Sequence, residues 1–171
     1  MSHQKIQQMP ETNQERPHIK MDRILSNKLL TLRAQKYASH LLGIQSYKLK
    51  YLRPDDFSWH RETINYMHTL AEKADGRLLP HPTKANEVIS AVTDASNIYK
   101  EFECWIFFEN RIGLNFYGYD FGAFLGSLFR LDKSYDAQLA FTDPDFIISL
   151  SDDEHVIEIH IVRSALSSKG I

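Results

Sequence analysis

Apolar residues recur with two different periods along the chain. Over residues 22–42 the spacing is helical: Leu25, Leu29 and Leu32 form one stripe, and Leu30, Ala34, Tyr37, Ala38 and Leu41 form a second. Gly43 follows as a stop signal. Residues 44–52 then alternate, with Tyr47, Leu49 and Tyr51 on one side and Ser46, Lys48 and Lys50 on the other. Lysines along one side suit an edge strand, where charge discourages pairing between sheets. A second helix is expected over residues 53–74, with Phe57, Ile64, Met67, Leu70, Ala71 and Ala74 inward and Gly76 at its end. Residues 77–82 hold Pro80 and Pro82 and read as a loop. Thr83 is the expected cap of a third helix, whose inner face runs through Val88, Ile89, Val92, Ala95 and Tyr99 to Phe102.

Residues 102–131 contain seven of the ten phenylalanines, Trp105 and Cys104, and are the expected centre of the core. Residues 103–109 are too short for a helix and apolar on both faces, which points to a strand covered on both sides. A turn at Asn110-Arg111 leads to a second strand over residues 112–119. Asp120 is a good N-cap for a short helix over residues 121–131, in which Gly122 and Gly126 each cost about 1 kcal/mol against alanine. Three more strands follow at 135–142, 146–150 and 155–163; in the last, Ile157, Ile159 and Ile161 point inward and Glu158 and His160 outward.

These elements predict an α+β domain: three N-terminal helices packed on a mostly antiparallel C-terminal sheet of about four to six strands. Residues 1–20 are polar and read as a flexible tail, residues 21–165 as a single domain and residues 166–171 as a frayed end. The length of 171 residues is enough for a core without disulfides or metals. No run is apolar over the roughly 18 residues of a membrane span, and the N-terminus is polar. With a single cysteine, the expected address is the cytoplasm.

Charge changes the picture more than composition does. The net charge is −2, yet residues 1–53 carry +7, residues 54–102 carry −3 and residues 103–171 carry −6. Residues 134–162 contain seven acids and no Lys or Arg. Asymmetry of this kind bears on partners rather than on fold.

Candidate chemistry is sparse. His60 and His68 are eight residues apart, too far for two ligands on one helix face, and His155 and His160 fall on opposite sides of a strand; only Glu158 and His160 share a side. Asp143, Asp145, Asp152, Asp153 and Glu154 gather at turns, where acids bind cations but also serve as ordinary turn formers. Ser127 lacks a Gly-x-Ser-x-Gly setting, and Cys104 lies in the most apolar strand. The glycines match no phosphate-binding fingerprint. No catalytic residue, metal ligand or cofactor is therefore assigned.

The expected function is a small, non-catalytic, cytoplasmic protein-binding domain that sets an acidic face against a basic partner protein. Its partner-binding residues are expected to be Asp143, Asp145, Asp152, Asp153, Glu154, Glu158 and His160. Immunity proteins and antitoxins that neutralise cationic nucleases share this charge and size, and the likeness goes no further. One alternative is a metal-dependent enzyme with its site at the acidic turns. The other is a nucleic-acid-binding or regulatory module using the basic first helix, against which stands the overall pI near 6.4.

Overall fold

In the computed structural model, the described residues are 17–62, 76–142, 145–153 and 155–163. The expected frayed end and most of the expected tail lie outside them. The chain divides into two units, Met1–Arg33 and Ala34–Ile171. Helix α1 (Pro17–Ser39) starts five residues earlier than the apolar pattern indicates. Proline at a first helical position costs nothing, because its missing N–H would have no partner there. Within the first unit Met21, Ile24, Leu25, Leu29 and Leu32 are exposed, so the stripe of Leu25, Leu29 and Leu32 is left uncovered. In the second unit Ala34, Ala38 and Leu41 of the other stripe are buried.

The rest of the second unit is built on one antiparallel sheet of seven strands in the order β1-β4-β3-β5-β6-β7-β2. Its strands are β1 (Ile44–Tyr51), β2 (Arg77–Pro80), β3 (Phe102–Phe108), β4 (Ile112–Gly118), β5 (Ala137–Thr142), β6 (Asp145–Asp152) and β7 (Val156–Arg163). Strand β1 is at one edge, as its lysines suggested. Strand β2 forms the other edge, where a loop was expected. Its pairing of Leu79 with Ile157 and Pro80 with Val156 is supplied by β7, a distant partner that local sequence does not reveal. Pro80 is tolerated at the end of an edge strand, where no further ladder bond is needed.

Four helices occur among the described residues, not three at the N-terminus. They are α1, a second (α2) seen over residues 58–62, α3 (Ala85–Ser96) and α4 (Phe121–Asp132). The fourth lies between β4 and β5, within the sheet-forming half. Its start is fixed by Asp120, whose Oδ1 accepts from Ala123 N at 2.9 Å. Helix α3 stops six residues short of Phe102 because Asn97 takes a left-handed conformation, φ 59°. Its N-cap is Lys84, without a side-chain cap bond; the Thr83 hydroxyl donates instead to the Pro80 carbonyl.

Register assigns every strand residue to one of two faces. On the first lie Cys104, Leu114, Phe116, Leu139, Ile148, Leu150, Ile157 and Ile159, all buried. Phe124 of α4 packs on Phe102 and Phe116 with ring centroids 4.8 and 5.4 Å away, and Phe121 packs on Phe102 at 5.1 Å. Ile89 of α3 passes over Gly122 and Gly126, where it meets no side chain. Trp105, Phe107, Asn115, Gln138, Ile147, Glu158 and His160 share the second face. Phe57 and His60 pack there on Trp105 and Phe107. No described helix is long and apolar enough to cross a membrane.

Candidate functional site

The acids expected to act together are separated by the length of a strand. Asp145 opens β6 and Asp152 closes it, so the two stand about 23 Å apart at the usual rise per residue. Asp143 and Glu154 lie outside the described residues. The separation follows from the meander itself, because the turns before and after a strand are necessarily at its opposite ends.

At the Asp152 end, two carboxylates hold the backbone. Asp152 N donates to Asp136 Oδ1 at 2.7 Å, and Tyr135 N donates to Asp152 Oδ2 at 3.1 Å. Ser134 Oγ donates to Asp136 Oδ2 at 3.0 Å. His81 Nε2 lies 3.4 Å from Asp152 Oδ1. Asp152 is thus part of the structure as well as of the charge, whereas Asp153 is exposed.

His160 does not point outward. It is 6% exposed, its Nε2 lies 3.0 Å from Glu158 Oε2, and a side chain at Gly76 would run into its ring. Alternation along β7 put the residue on the right face; the sequence did not show that this face is covered there. Cys104 is fully buried, and burial followed by the Glu103 charge drives its thiol far above the ordinary value. A thiol held protonated is not a nucleophile at neutral pH. No three His, Cys, Asp or Glu side chains among the described residues are placed to hold a metal ion.

The geometry instead brings together residues the sequence pattern did not single out. Strands β3 and β5 are neighbours, but their ladder is a single pair, Trp105 with Ala140. Beyond it the strands part, and a cavity of about 310 Å³ opens on the first face. Ile106, Phe108, Leu128 and Leu139 line it, with Glu109, Asp132 and Asp136 among its polar residues and, among the described residues, no Lys or Arg. Tyr37 completes the wall, its ring 5.3 Å from that of Phe108 and its hydroxyl donating to Asp132 Oδ2 at 2.9 Å. Burial raises the Asp132 carboxyl, opposed by the bond from Tyr37. Burial also raises the Tyr37 hydroxyl, and the Asp132 charge adds to it.

This cavity suits a cation: three carboxylates surround a partly apolar slot with an aromatic ring on its wall. Asp136 joins it to Asp152, whose backbone N–H donates to the Asp136 carboxylate. Glu109 and Asp136 were missed because each reads as a residue near the end of a strand, Asp132 because it follows a helix, and Tyr37 because it reads as core. The one available signal was that residues 134–162 lack any base.

A second cleft, of about 550 Å³, opens on the opposite face of the same seam. It shares Phe107, Asn110 and Gln138 with the first and adds Arg53, Phe57, His60 and Arg61. Compared with known proteins, the chain matches no family model, no curated protein and no solved structure.

Proposed function

We propose that the chain is a non-catalytic protein-binding domain that takes a basic partner at its acidic end. The observation that carries this is the slot between β3 and β5, lined by Glu109, Asp132 and Asp136 and, among the described residues, by no Lys or Arg. A lysine or arginine side chain of the partner enters the slot, its stem against Ile106 and Phe108 and its charge among the carboxylates. Asp152 and Asp153 extend the same sign of charge and attract the partner before contact. Asp145, Glu158 and His160 are peripheral to this surface. An inhibitor of a cationic enzyme, in the manner of immunity proteins and antitoxins, is the class this surface fits by charge. A cytoplasmic setting accords with Cys104, a lone cysteine buried in the core.

The two alternatives have less support. The acidic turns stand at opposite ends of β6, which does not favour a metal-dependent enzyme built on them. Against a nucleic-acid module using the basic first helix stands the overall pI near 6.4.

The test is to capture a partner with the wild-type chain and measure its association with the Glu109→Lys/Asp132→Lys variant. Association with a basic partner is expected to slow by about tenfold or more, since steering by clustered charge acts mainly on the encounter rate. A captured partner that is itself acidic, or one indifferent to the double reversal, would end the proposal.

A further inference from the structure

The cleft on the second face carries features that the acidic slot does not explain. The first is His60. It is only 8% exposed, and its Nε2 has no hydrogen-bond partner among the described residues. Leaving a buried polar atom unpaired costs on the order of 1–3 kcal/mol, so each such atom calls for a reason. Its ring stands 4.6 Å from Phe107 and lines the cleft. Burial, with some help from the Arg61 charge, pushes His60 down to about 4, so the ring is neutral near pH 7. A neutral imidazole offers Nε2 as a donor or an acceptor according to tautomer.

The second feature is Phe57. Its φ is +55°, a left-handed backbone that a bulky residue rarely adopts. Backbone strain of this kind persists where surroundings enforce it, and it gathers at ligand sites. Here it turns the Phe57 ring onto Trp105 and Phe107, with centroids 4.9 and 5.0 Å away. Phe57, His60 and Phe107 thus line the cleft with three ring systems.

The third is charge. Arg53 and Arg61 line the cleft, and among the described residues the one acid there is Asp56. Its carboxylate is already engaged by Lys50 Nζ at 2.7 Å and Arg53 N at 2.9 Å. Arg61 donates to the Pro54 carbonyl and so braces the loop. The balance left for a ligand is positive, and Arg53 supplies it. Asn110 and Gln138 add side-chain amides that both donate and accept.

We propose that this cleft binds a small planar heteroaromatic anion. The ring lies against the wall that Phe57, His60 and Phe107 form, its edge takes hydrogen bonds from His60 Nε2 and the Gln138 amide, and its carboxylate or phosphate meets Arg53. The volume of about 550 Å³ falls within the usual range for such sites, roughly 300–1,000 Å³. A cleft closed mainly by rings, with few converging polar groups, is also the usual form of a small-molecule site. The cleft differs in sign from the acidic slot, so the two take different ligands.

The test uses two probes, adenosine monophosphate for a phosphate and quinoline-2-carboxylate for a carboxylate, with adenosine and quinoline as uncharged counterparts. Calorimetry on the full chain is expected to show one-to-one binding of at least one anion, and which one identifies the source. Its uncharged counterpart is expected to bind at least about tenfold more weakly, and Arg53→Glu to weaken the anion by a similar factor. His60→Phe keeps the ring contact but removes Nε2, and is expected to weaken binding as well. Arg53 is exposed, so its variant is not expected to unfold. No binding of either anion at millimolar concentration overturns the proposal. So does equal binding of the neutral counterpart, or indifference to Arg53→Glu.

Discussion

At the scale of single residues, His60 is the group whose state the fold changes most legibly. Free histidine titrates near 6.5, and in the folded chain His60 is pushed down to about 4. Between those values the unfolded chain takes up a proton that the folded chain refuses. Stability from this residue is therefore complete above about pH 6.5 and is lost as pH falls toward 4. The loss amounts to about 3 kcal/mol in all, at about 1.4 kcal/mol per pH unit. Other groups titrate in the same window, so the informative quantity is the difference between wild type and His60→Phe. Urea unfolding across this range is expected to show a steeper fall for wild type; parallel curves would mean that His60 charges freely in the fold. The sequence offered no hint of this. It placed His60 on a helix eight residues from His68, whereas the shift comes from its burial against Phe107.

At the scale of elements, the corner that joins α1 to β1 is tied to the start of α4. Gly43 has φ +70°, and its carbonyl accepts from Tyr119 N at 2.9 Å and Asp120 N at 3.2 Å. A Cβ on Gly43 would collide with the Asp120 carbonyl, backbone that cannot swing aside. Gly43→Ala is therefore expected to cost about 2–4 kcal/mol, from the left-handed conformation and the forced shift together. Gly122 behaves oppositely. It is helical, and its Cβ would meet Ile89 Cγ2 at an ordinary 3.5 Å. Gly122→Ala is expected to stabilise by about 0.5–1 kcal/mol through helix propensity. Denaturant midpoints that move in the same direction for both variants would contradict this account. Both glycines illustrate what sequence can and cannot deliver. Gly43 was readable as a helix stop because local conformation demands it. The room beside Gly122 depends on where α3 crosses, which only the packed structure decides. The same division runs through the strands. Alternation located β1, β4, β5 and β7, and short apolar runs located β3 and β6, but β2 exists only because β7 offers it an edge.

At the scale of the whole molecule, the sequence showed that charge is separated along the chain, and the fold places Asp145 and Asp152 at opposite ends of β6. The excess over residues 134–162 was visible in order along the chain. Its division between the two ends of β6 was not, nor was the joining of Asp136 and Asp152 with Glu109 and Asp132 from elements before β5. Pairing between strands brings such residues together, and pairing is long-range information. The collected charge has a measurable consequence if it serves a basic partner. Exposed charges act over about one Debye length, which shrinks from about 10 Å at 0.1 M salt to about 3 Å at 1 M. Asp152 and Asp153 sit beyond the slot and act through that distance, whereas Asp132 lines the slot and is bonded to Tyr37. Raising salt is therefore expected to slow association strongly while changing dissociation little, because the inserted cation is held at contact range. Asp153→Lys should reduce the salt dependence of the association rate and leave the melting temperature nearly unchanged, since its side chain is exposed. Asp152→Lys should reduce both, because its carboxylate also holds Tyr135 N. Stopped-flow mixing with the captured partner at several ionic strengths separates these effects. An association rate flat in salt for wild type, or a dissociation rate that carries most of the salt effect, would show that the acidic end does not steer the encounter.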